Sequence, residues 1–198
     1  MTVLEELKVK KVIISKQGED SANLKKFKEI VSEKNINVKV VGKGDRVQIE
    51  KYLYLDILWP DNQNLISDNV LNNNSIVAKL NYKSFSCVFT GDIEEIAEKE
   101  ILQQYKNNLN VLNSTILKVA HHGSKTSSSQ DFIEAVKPQI SLIGVGENNT
   151  FGHPNDEVIK RLENIGPKIY RTDKMGEISI FVNINGKIKI KKFIKKCN

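Results

Sequence analysis

Cysteine, histidine and long apolar runs are scarce in this sequence, and each shortage excludes a class of protein. The two cysteines, Cys87 and Cys197, provide neither a disulfide framework nor a paired-thiolate metal motif, so we expect a reducing, cytoplasmic setting. The sequence contains no stretch of eighteen or more apolar residues, and its first residues lack the apolar core of a signal peptide. Neither a membrane span nor export is therefore indicated. The 198 residues, 39% of them hydrophobic, suit one globular domain.

Charge is the second feature of the composition. The net charge is +6, and lysines cluster in residues 8–11, 24–28 and 187–196. Such clusters favour an acidic partner such as nucleic acid, but a lysine-rich chain also carries them as ordinary solvated surface. In the tail, Ile alternates with Lys, which is typical of an edge strand protected by lysine.

The spacing of apolar residues alternates between strand and helix periods along the chain. In the helix at 19–35, Leu24, Phe27, Ile30 and Val31 form one apolar stripe. The Asn-rich residues 61–74 are expected to be a flexible loop. Mixed strands with interspersed helices predict an α/β layered domain. Strands are predicted at residues 8–15, 37–42, 46–50, 53–60, 75–82, 85–91, 114–120, 139–146, 168–172, 176–184 and 187–194, and further helices at 93–105, 130–137 and 156–165.

The three histidines fall in two loops that follow predicted strands. His121 and His122 lie in KVAHHGSKTSSS, residues 118–129, and His153 lies in FGHPN; Asp92 follows another strand. Because α/β proteins place ligands at the carboxyl ends of strands, these side chains predict a site for a divalent metal such as Zn²⁺ or Mn²⁺. Successive residues at a strand end point to opposite faces, so we expect one of the paired histidines, preferably His121, to bind metal directly.

Residues 123–125 add possible substrate contacts. Gly123 would allow close approach of the backbone to a substrate, and Ser124 or Lys125 could hold an anionic oxygen. Each polar residue also has a structural alternative. Asp92 could cap a helix, residues 124–129 could cap the helix at 130–137, and the His153-Pro154 pair could simply open a helix. The concentration of all histidines in two strand-end loops favours a shared metal site.

Four sequence elements in this order resemble the metallo-β-lactamase-fold domain of the ComEC competence family. They are Asn-x-Ser ending at Ser75, Gly-Asp-(x)₅-Glu at residues 91–98, His-His-Gly-Ser at 121–124 and Gly-His-Pro at 152–154. The resemblance implies an αββα sandwich, one or two Zn or Mn ions, and hydrolysis of a phosphodiester, with DNA as substrate. The resemblance implies that Asp92, His121, His122 and His153 lie in the metal site, with Asn74, Ser75 and Glu98 as further family matches. Together with the residue chemistry above, we expect Asp92, His121 and Ser124 to act in catalysis, and Asn74, His122 and Lys125 to bind substrate.

One departure from the family pattern lowers these expectations. Members of the superfamily carry an early His-x-His-x-Asp-His element that supplies much of the metal shell, whereas no histidine precedes His121 here. We therefore expect residues 1–198 to form a single domain that lacks this element, with weak or absent metal binding and an uncovered apolar face. A second polypeptide could supply the missing half. If the chain is part of a longer ComEC-like protein, a membrane-associated or extracellular location is expected instead. A non-catalytic remnant or nucleic-acid-binding module is the alternative to a hydrolase.

Overall fold

The centre of the molecule is a seven-stranded mixed sheet. The computed structural model describes residues 1–16 and 21–193. The strand order is β3-β4-β5-β6-β7-β8-β9; the pairs from β3 to β6 are antiparallel, and those from β6 to β9 are parallel. The strands are β3 (Arg46–Glu50), β4 (Leu53–Trp59), β5 (Val77–Tyr82), β6 (Phe85–Phe89), β7 (Ile116–Lys118), β8 (Ile140–Ile143) and β9 (Lys168–Arg171).

Three helices cover one face of this sheet. Side chains that alternate along the strands, such as Val88, Leu117 and Ile143, meet the apolar sides of α4, α5 and α6 in the main core. The helices are α1 (Thr2–Glu6), α2 (Ala22–Glu33), α3 (Val70–Asn73), α4 (Glu95–Gln104), α5 (Gln130–Val136), α6 (Asp156–Ile165) and α7 (Thr172–Met175). None of the helices within the described ranges has the length and apolarity needed to cross a membrane.

Two separate strand pairs cover parts of the opposite face. The parallel pair β1 (Lys11–Ser15) and β2 (Asn37–Val41) packs on β4 and β5, and the antiparallel pair β10 (Ile178–Val182) and β11 (Ile188–Lys192) packs on β5 to β9. Helix α2 lies on the outer side of the first pair, where Leu24 and Phe27 line a groove with Ile14. The layers therefore follow the expected α/β arrangement of helices, two sheet layers and a further helix.

An apolar groove of about 450 Å³ lies on this second face. It is lined mainly by side chains of β5 to β8 and β10, including Leu80, Phe85, Ile116, Leu142 and Val182. Part of the apolar surface on this face is therefore open to solvent. In β11 the isoleucines turn toward the core and the lysines toward solvent, as predicted for the tail.

Most predicted elements lie where the periodicity places them, with two informative differences. The predicted strand at 114–120 is shorter, because β7 ends at Lys118 and the chain then turns. The Asn-rich stretch was predicted to be a flexible loop, and this is wrong: it contains α3, and Asn73 and Asn74 are buried. Hydrogen bonds from their side-chain amides hold the segment in one conformation.

Candidate functional site

Three loops that follow parallel strands meet at one edge of the sheet. They come after β6, β7 and β8, whose carboxyl ends point the same way. The backbone N–H of His121 donates to the carbonyl of Gly91 at 3.1 Å, and the N–H of Asn155 donates to the carbonyl of Gly123 at 2.9 Å. The loops that carry Asp92, the histidine pair and His153 are therefore tied into one unit, as the strand-end argument predicted.

Two glycines allow these loops to approach each other. Gly91 has φ of +57°, and a Cβ there would lie 2.7 Å from the Cβ of Ser75. Gly123 has φ of +85°, and a Cβ there would lie 2.6 Å from the Cβ of Pro154. A side chain at either position would meet both a strained backbone and a steric clash. The glycines of the Gly-Asp and His-His-Gly elements thus serve packing between loops.

The backbone of the histidine pair differs from the strand geometry assumed above. His121 and His122 both have left-handed conformations, with φ of 47° and 55°. The expectation that a strand pleat separates the two rings is therefore wrong. The rings diverge because two successive left-handed residues turn the chain, and each imidazole lies beside a different carboxylate.

The first histidine–carboxylate pair is His122 with Asp92. The ring atom Nδ1 of His122 lies 2.6 Å from the carbonyl oxygen of Gly144. Because a carbonyl only accepts hydrogen bonds, Nδ1 carries a proton, and in the neutral ring Nε2 presents a lone pair. Nε2 lies 3.8 Å from Oδ1 of Asp92, too far for a direct hydrogen bond, so the neutral ring and the carboxylate face each other as two donors for a cation. The arrangement can hold a cation.

The second pair is His121 with Glu94, and it is more enclosed. Oε1 of Glu94 accepts from the Thr126 hydroxyl at 3.1 Å, and Oε2 accepts from the side-chain amides of Asn69 at 3.0 Å and Asn73 at 3.2 Å. Nδ1 of His121 is buried, lies 3.9 Å from Oε1 of Glu94 and has no hydrogen-bond partner. Three other side chains therefore fix the Glu94 carboxylate in a position next to Nδ1 of His121.

His153 joins this group from the loop after β8. Its ring packs edge-on against His121 with 5.9 Å between ring centroids, and nearly parallel to Phe151 at 5.8 Å. Burial lowers the pKa of His153, and the neighbouring His121 and His122 lower it further. His153 thus packs against His121, and a metal site shared by the three histidines stays a prediction.

Glu98 anchors the loop that carries the histidine pair. Its side chain is fully buried, and its two oxygens accept from the backbone N–H groups of Ser128 and Ser129, the latter at 2.8 Å. Burial raises the pKa of this carboxyl, whereas the N–H donors and the nearby Arg161 act in the opposite direction. Arg161 binds the same loop through the carbonyls of Lys125, Ser127 and Ser128. Glu98 therefore shapes the site without reaching into it.

Comparison with known proteins agrees with these features. The chain is 31% identical over 176 residues to ComE operon protein 3 of Bacillus subtilis, which covers 89% of this chain and 22% of that protein. It is 31% identical over 131 residues to competence protein ComA of Neisseria gonorrhoeae, covering 66% of this chain and 18% of that protein. This chain is a ComEC-like protein of the metallo-β-lactamase fold. It spans less than a quarter of the length of these relatives. No family model matches it.

A solved structure supports the fold of this ComEC-like chain. CmlA, a diiron β-hydroxylase from Streptomyces venezuelae, aligns with a TM-score of 0.50 at 7% identity, over 85% of this chain and 39% of CmlA. Identity this low shows the fold alone.

The polar residues of the ComEC-like motifs do not cap the helices that follow them. Asp92 does not cap α4, which starts at Glu95, and its side chain is 44% exposed. The serines at 124–129 do not cap α5 with their side chains; Glu98 instead accepts from the backbone N–H groups of Ser128 and of the N-cap residue Ser129. Pro154 precedes the N-cap residue Asn155 rather than entering α6. A role as a helix cap therefore does not account for Asp92.

Two predicted functional residues have structural contacts instead. Asn74 is 2% exposed, and its amide is used up by the backbone of Ile66 and Val70, so a role in substrate binding is wrong for it. Ser124 is buried, and its hydroxyl pairs with the Thr126 side chain at 3.0 Å. A role for this hydroxyl in contacting substrate is therefore corrected to a role in holding the loop.

Cationic side chains flank the Asp92 loop. Lys125 is exposed, and its role in holding an anion stays a prediction. Lys118 was missed by sequence reasoning; it is half-buried at the end of β7, and its amino group donates to the carbonyl of Val119 at 2.9 Å. Burial lowers the pKa of Lys118, and the charge of Asp92 partly offsets this.

The donors present fit a metal ion only in part. A tetrahedral zinc ion with bonds of about 2.1 Å separates two ligand atoms by about 3.4 Å, close to the 3.8 Å between Asp92 and His122. Within residues 1–16 and 21–193, no group of three or more His, Cys, Asp or Glu side chains is arranged to hold a metal. The site thus offers a two-donor arrangement beside a second, enclosed pair.

Proposed function

We propose that this chain carries part of the metal site of a metal-dependent hydrolase that cleaves phosphodiesters in DNA, formed by the loops at the carboxyl ends of its strands. The observation that carries the proposal is the pair formed by Asp92 and His122, in which two lone-pair donors face each other at an exposed edge of the sheet. The carbonyl of Gly144 accepts the hydrogen bond from Nδ1 of His122, so in the neutral ring Nε2 is free to bind a cation.

The chain's own residues have distinct parts in this proposal. Asp92 and His122 hold the ion, and the carbonyl of Gly144 fixes the ring of His122. Glu94 lies 3.9 Å from the buried Nδ1 of His121 without a hydrogen bond to it, and the other nitrogen of that ring is the one left for a ligand. When bound, the metal makes a water easier to deprotonate and offsets the negative charge that develops during attack.

Further metal donors are needed, and we propose that they come from a polypeptide segment that carries the early His-x-His-x-Asp-His element. Two protein donors are fewer than the three that catalytic zinc sites use. The apolar groove on the second face of the sheet gives such a segment a surface to cover.

DNA is the substrate class that the chain's charge and its relatives support. The net charge of +6 favours a polyanion, and one of the relatives is named a competence protein. Lys125 supplies an exposed cation next to the histidine pair. Zn²⁺ and Mn²⁺ are the candidate ions, because both accept imidazole and carboxylate ligands.

A nucleic-acid-binding module without catalysis is the second candidate. It is favoured by the two-donor arrangement, since too few ligands converge among the described residues to hold an ion tightly. In this case the lysines would bind phosphates and the carboxylate–imidazole pair would be unused.

A cleavage assay separates the two candidates. We would incubate a labelled single-stranded oligonucleotide with Mn²⁺ or Zn²⁺, the chain and a polypeptide segment that carries the His-x-His-x-Asp-His element, comparing wild type, Asp92→Ala, His122→Ala and, as matched control, Asp131→Ala on the exposed side of α5. A hydrolase predicts a rate loss of about 100-fold or more in the first two variants, because each removes one of two metal donors. Equal rates in all four proteins would reject the hydrolase. Salt-sensitive binding without any cleavage would support the binding module.

A further inference from the structure

Three aromatic rings form a row from the interior of the site to solvent. His121 lies beside the enclosed carboxylate of Glu94, His153 packs edge-on against His121, and Phe151 lies nearly parallel to His153, with 18° between the ring planes. Phe151 is 80% exposed. One face of its ring is therefore next to an imidazole of the site, and most of the ring surface is open.

The loop that presents Phe151 is held in place. The side chain of Asn149 donates to the carbonyls of Gly146 at 3.0 Å and His153 at 2.8 Å, and accepts from the N–H of His153 at 2.9 Å. Three hydrogen bonds from one side chain close the loop on both sides of residue 151. The phenyl ring is thus displayed from a braced loop.

Packing does not explain a phenylalanine at this position. A large apolar side chain stabilises a fold through the surface that it buries, and Phe151 buries little. The other phenylalanine with comparable exposure is Phe193, at 81%, which follows β11 on the separate strand pair. Among the described residues, Phe151 alone combines such exposure with contact to a histidine of the site.

We infer that Phe151 is a stacking platform for a nucleobase next to the hydrolytic centre. The inference rests on the proposed function and adds to it a subsite that contacts a base of the substrate by stacking, rather than its phosphate. A base stacked on the free side of Phe151 extends the row of rings outward by one member. Since every base offers such a face, the platform accepts any sequence but requires a base.

The platform predicts that affinity depends on bases as well as on charge. Removing an aromatic platform weakens binding of single-stranded nucleic acid by roughly 5- to 150-fold per stacked base. A purely electrostatic surface would instead bind an oligonucleotide without bases equally well, because the phosphates are unchanged.

Fluorescence anisotropy in EDTA, where no metal-dependent cleavage occurs, tests this inference. Two labelled single strands of equal length are compared, one with normal bases and one with abasic sites throughout, against wild type, Phe151→Ala, Phe151→Trp and Phe193→Ala. Phe151→Ala should bind the normal strand at least about 5-fold more weakly and leave the abasic strand unaffected. Phe151→Trp should retain the preference, and Phe193→Ala should match wild type.

Each other outcome overturns the platform. If Phe151→Ala weakens both strands equally, or neither, the ring does not contact a base, and the hydrolase proposal is unaffected because its assay concerns Asp92 and His122. If wild type binds neither strand, nucleobase recognition is rejected outright. The cleavage assay then decides separately whether the chain hydrolyses phosphodiesters.

Discussion

The adjacent histidines form two pairs with opposite character. His121 and Glu94 have side chains that are 24% and 19% exposed, and three neighbouring side chains fix the carboxylate. His122 and Asp92 are 53% and 44% exposed. In this second pair the histidine is fixed, through the carbonyl of Gly144, and the carboxylate is the open partner.

The difference separates framework from ligand-binding chemistry. A carboxylate whose oxygens already accept three hydrogen bonds has little capacity left for a ligand, but it can orient its neighbours. An exposed carboxylate that faces a free imidazole nitrogen can take up a cation. We therefore expect substitutions in the first pair to change stability and substitutions in the second to change chemistry.

The largest expected effect disrupts both pairs at once. Glu98→Ala removes the acceptor for the buried N–H groups of Ser128 and Ser129 and leaves a cavity beside the loop. The free energy of unfolding should fall by about 3 kcal/mol, since each unsatisfied buried donor costs on the order of 1–3 kcal/mol. Urea denaturation measures this change.

Glu95→Ala is the control for that substitution. Glu95 lies on the same helix, its side chain is 55% exposed, and it pairs with Lys99 at the surface. Such pairs contribute about 0.5 kcal/mol or less. If both variants lost the same stability, the loop would not depend on the Glu98 anchor.

The next effect sharpens the comparison of the two carboxylates. Glu94→Ala should lower the free energy of unfolding by about 2 kcal/mol, because three side-chain donors lose their acceptor. Asp92→Ala should change it by less than about 0.5 kcal/mol, because its carboxylate is exposed. Chemical denaturation of both variants in metal-free buffer gives the two values. A reversed order would mean that Asp92 belongs to the framework.

Periodicity and strand ends predicted much of this molecule. The apolar stripes of α2 and α4 to α6 and the alternation in β5 and β6 are local patterns that burial enforces. The placement of Asp92 and the histidines at one edge followed from parallel strands sharing the direction of their carboxyl ends. These inferences need only neighbours in sequence and the rules of sheet geometry.

Glu94 shows what the sequence could not predict. In the sequence, Glu94 cannot be distinguished from any other acidic residue at the start of a helix. Its role depends on Asn69 and Asn73, which are held in place because the indole of Trp59 donates to the carbonyl of Asn73 at 2.7 Å. The Asn-rich stretch was the available signal, but its burial depends on contacts between segments distant in sequence. The left-handed turn at His121 and His122 likewise depends on bonds to the loops on either side.

The smallest expected effect tests the nitrogen assignment within the exposed pair. In metal-free protein, the hydrogen bond from Nδ1 of His122 to the carbonyl of Gly144 should favour the Nδ1-protonated tautomer by about 1 kcal/mol, or about fivefold. Long-range ¹⁵N–¹H correlation spectra of the imidazoles report this ratio. Asp92→Ala should leave the tautomer of His122 unchanged, because the carbonyl of Gly144 fixes it and the carboxylate does not. The contrary result would be a wild-type protein in which Nε2 of His122 is protonated, together with an Asp92→Ala variant in which this tautomer is no longer preferred. The two groups would then form an ordinary hydrogen-bonded pair, and a cation would have to displace that proton before it could bind.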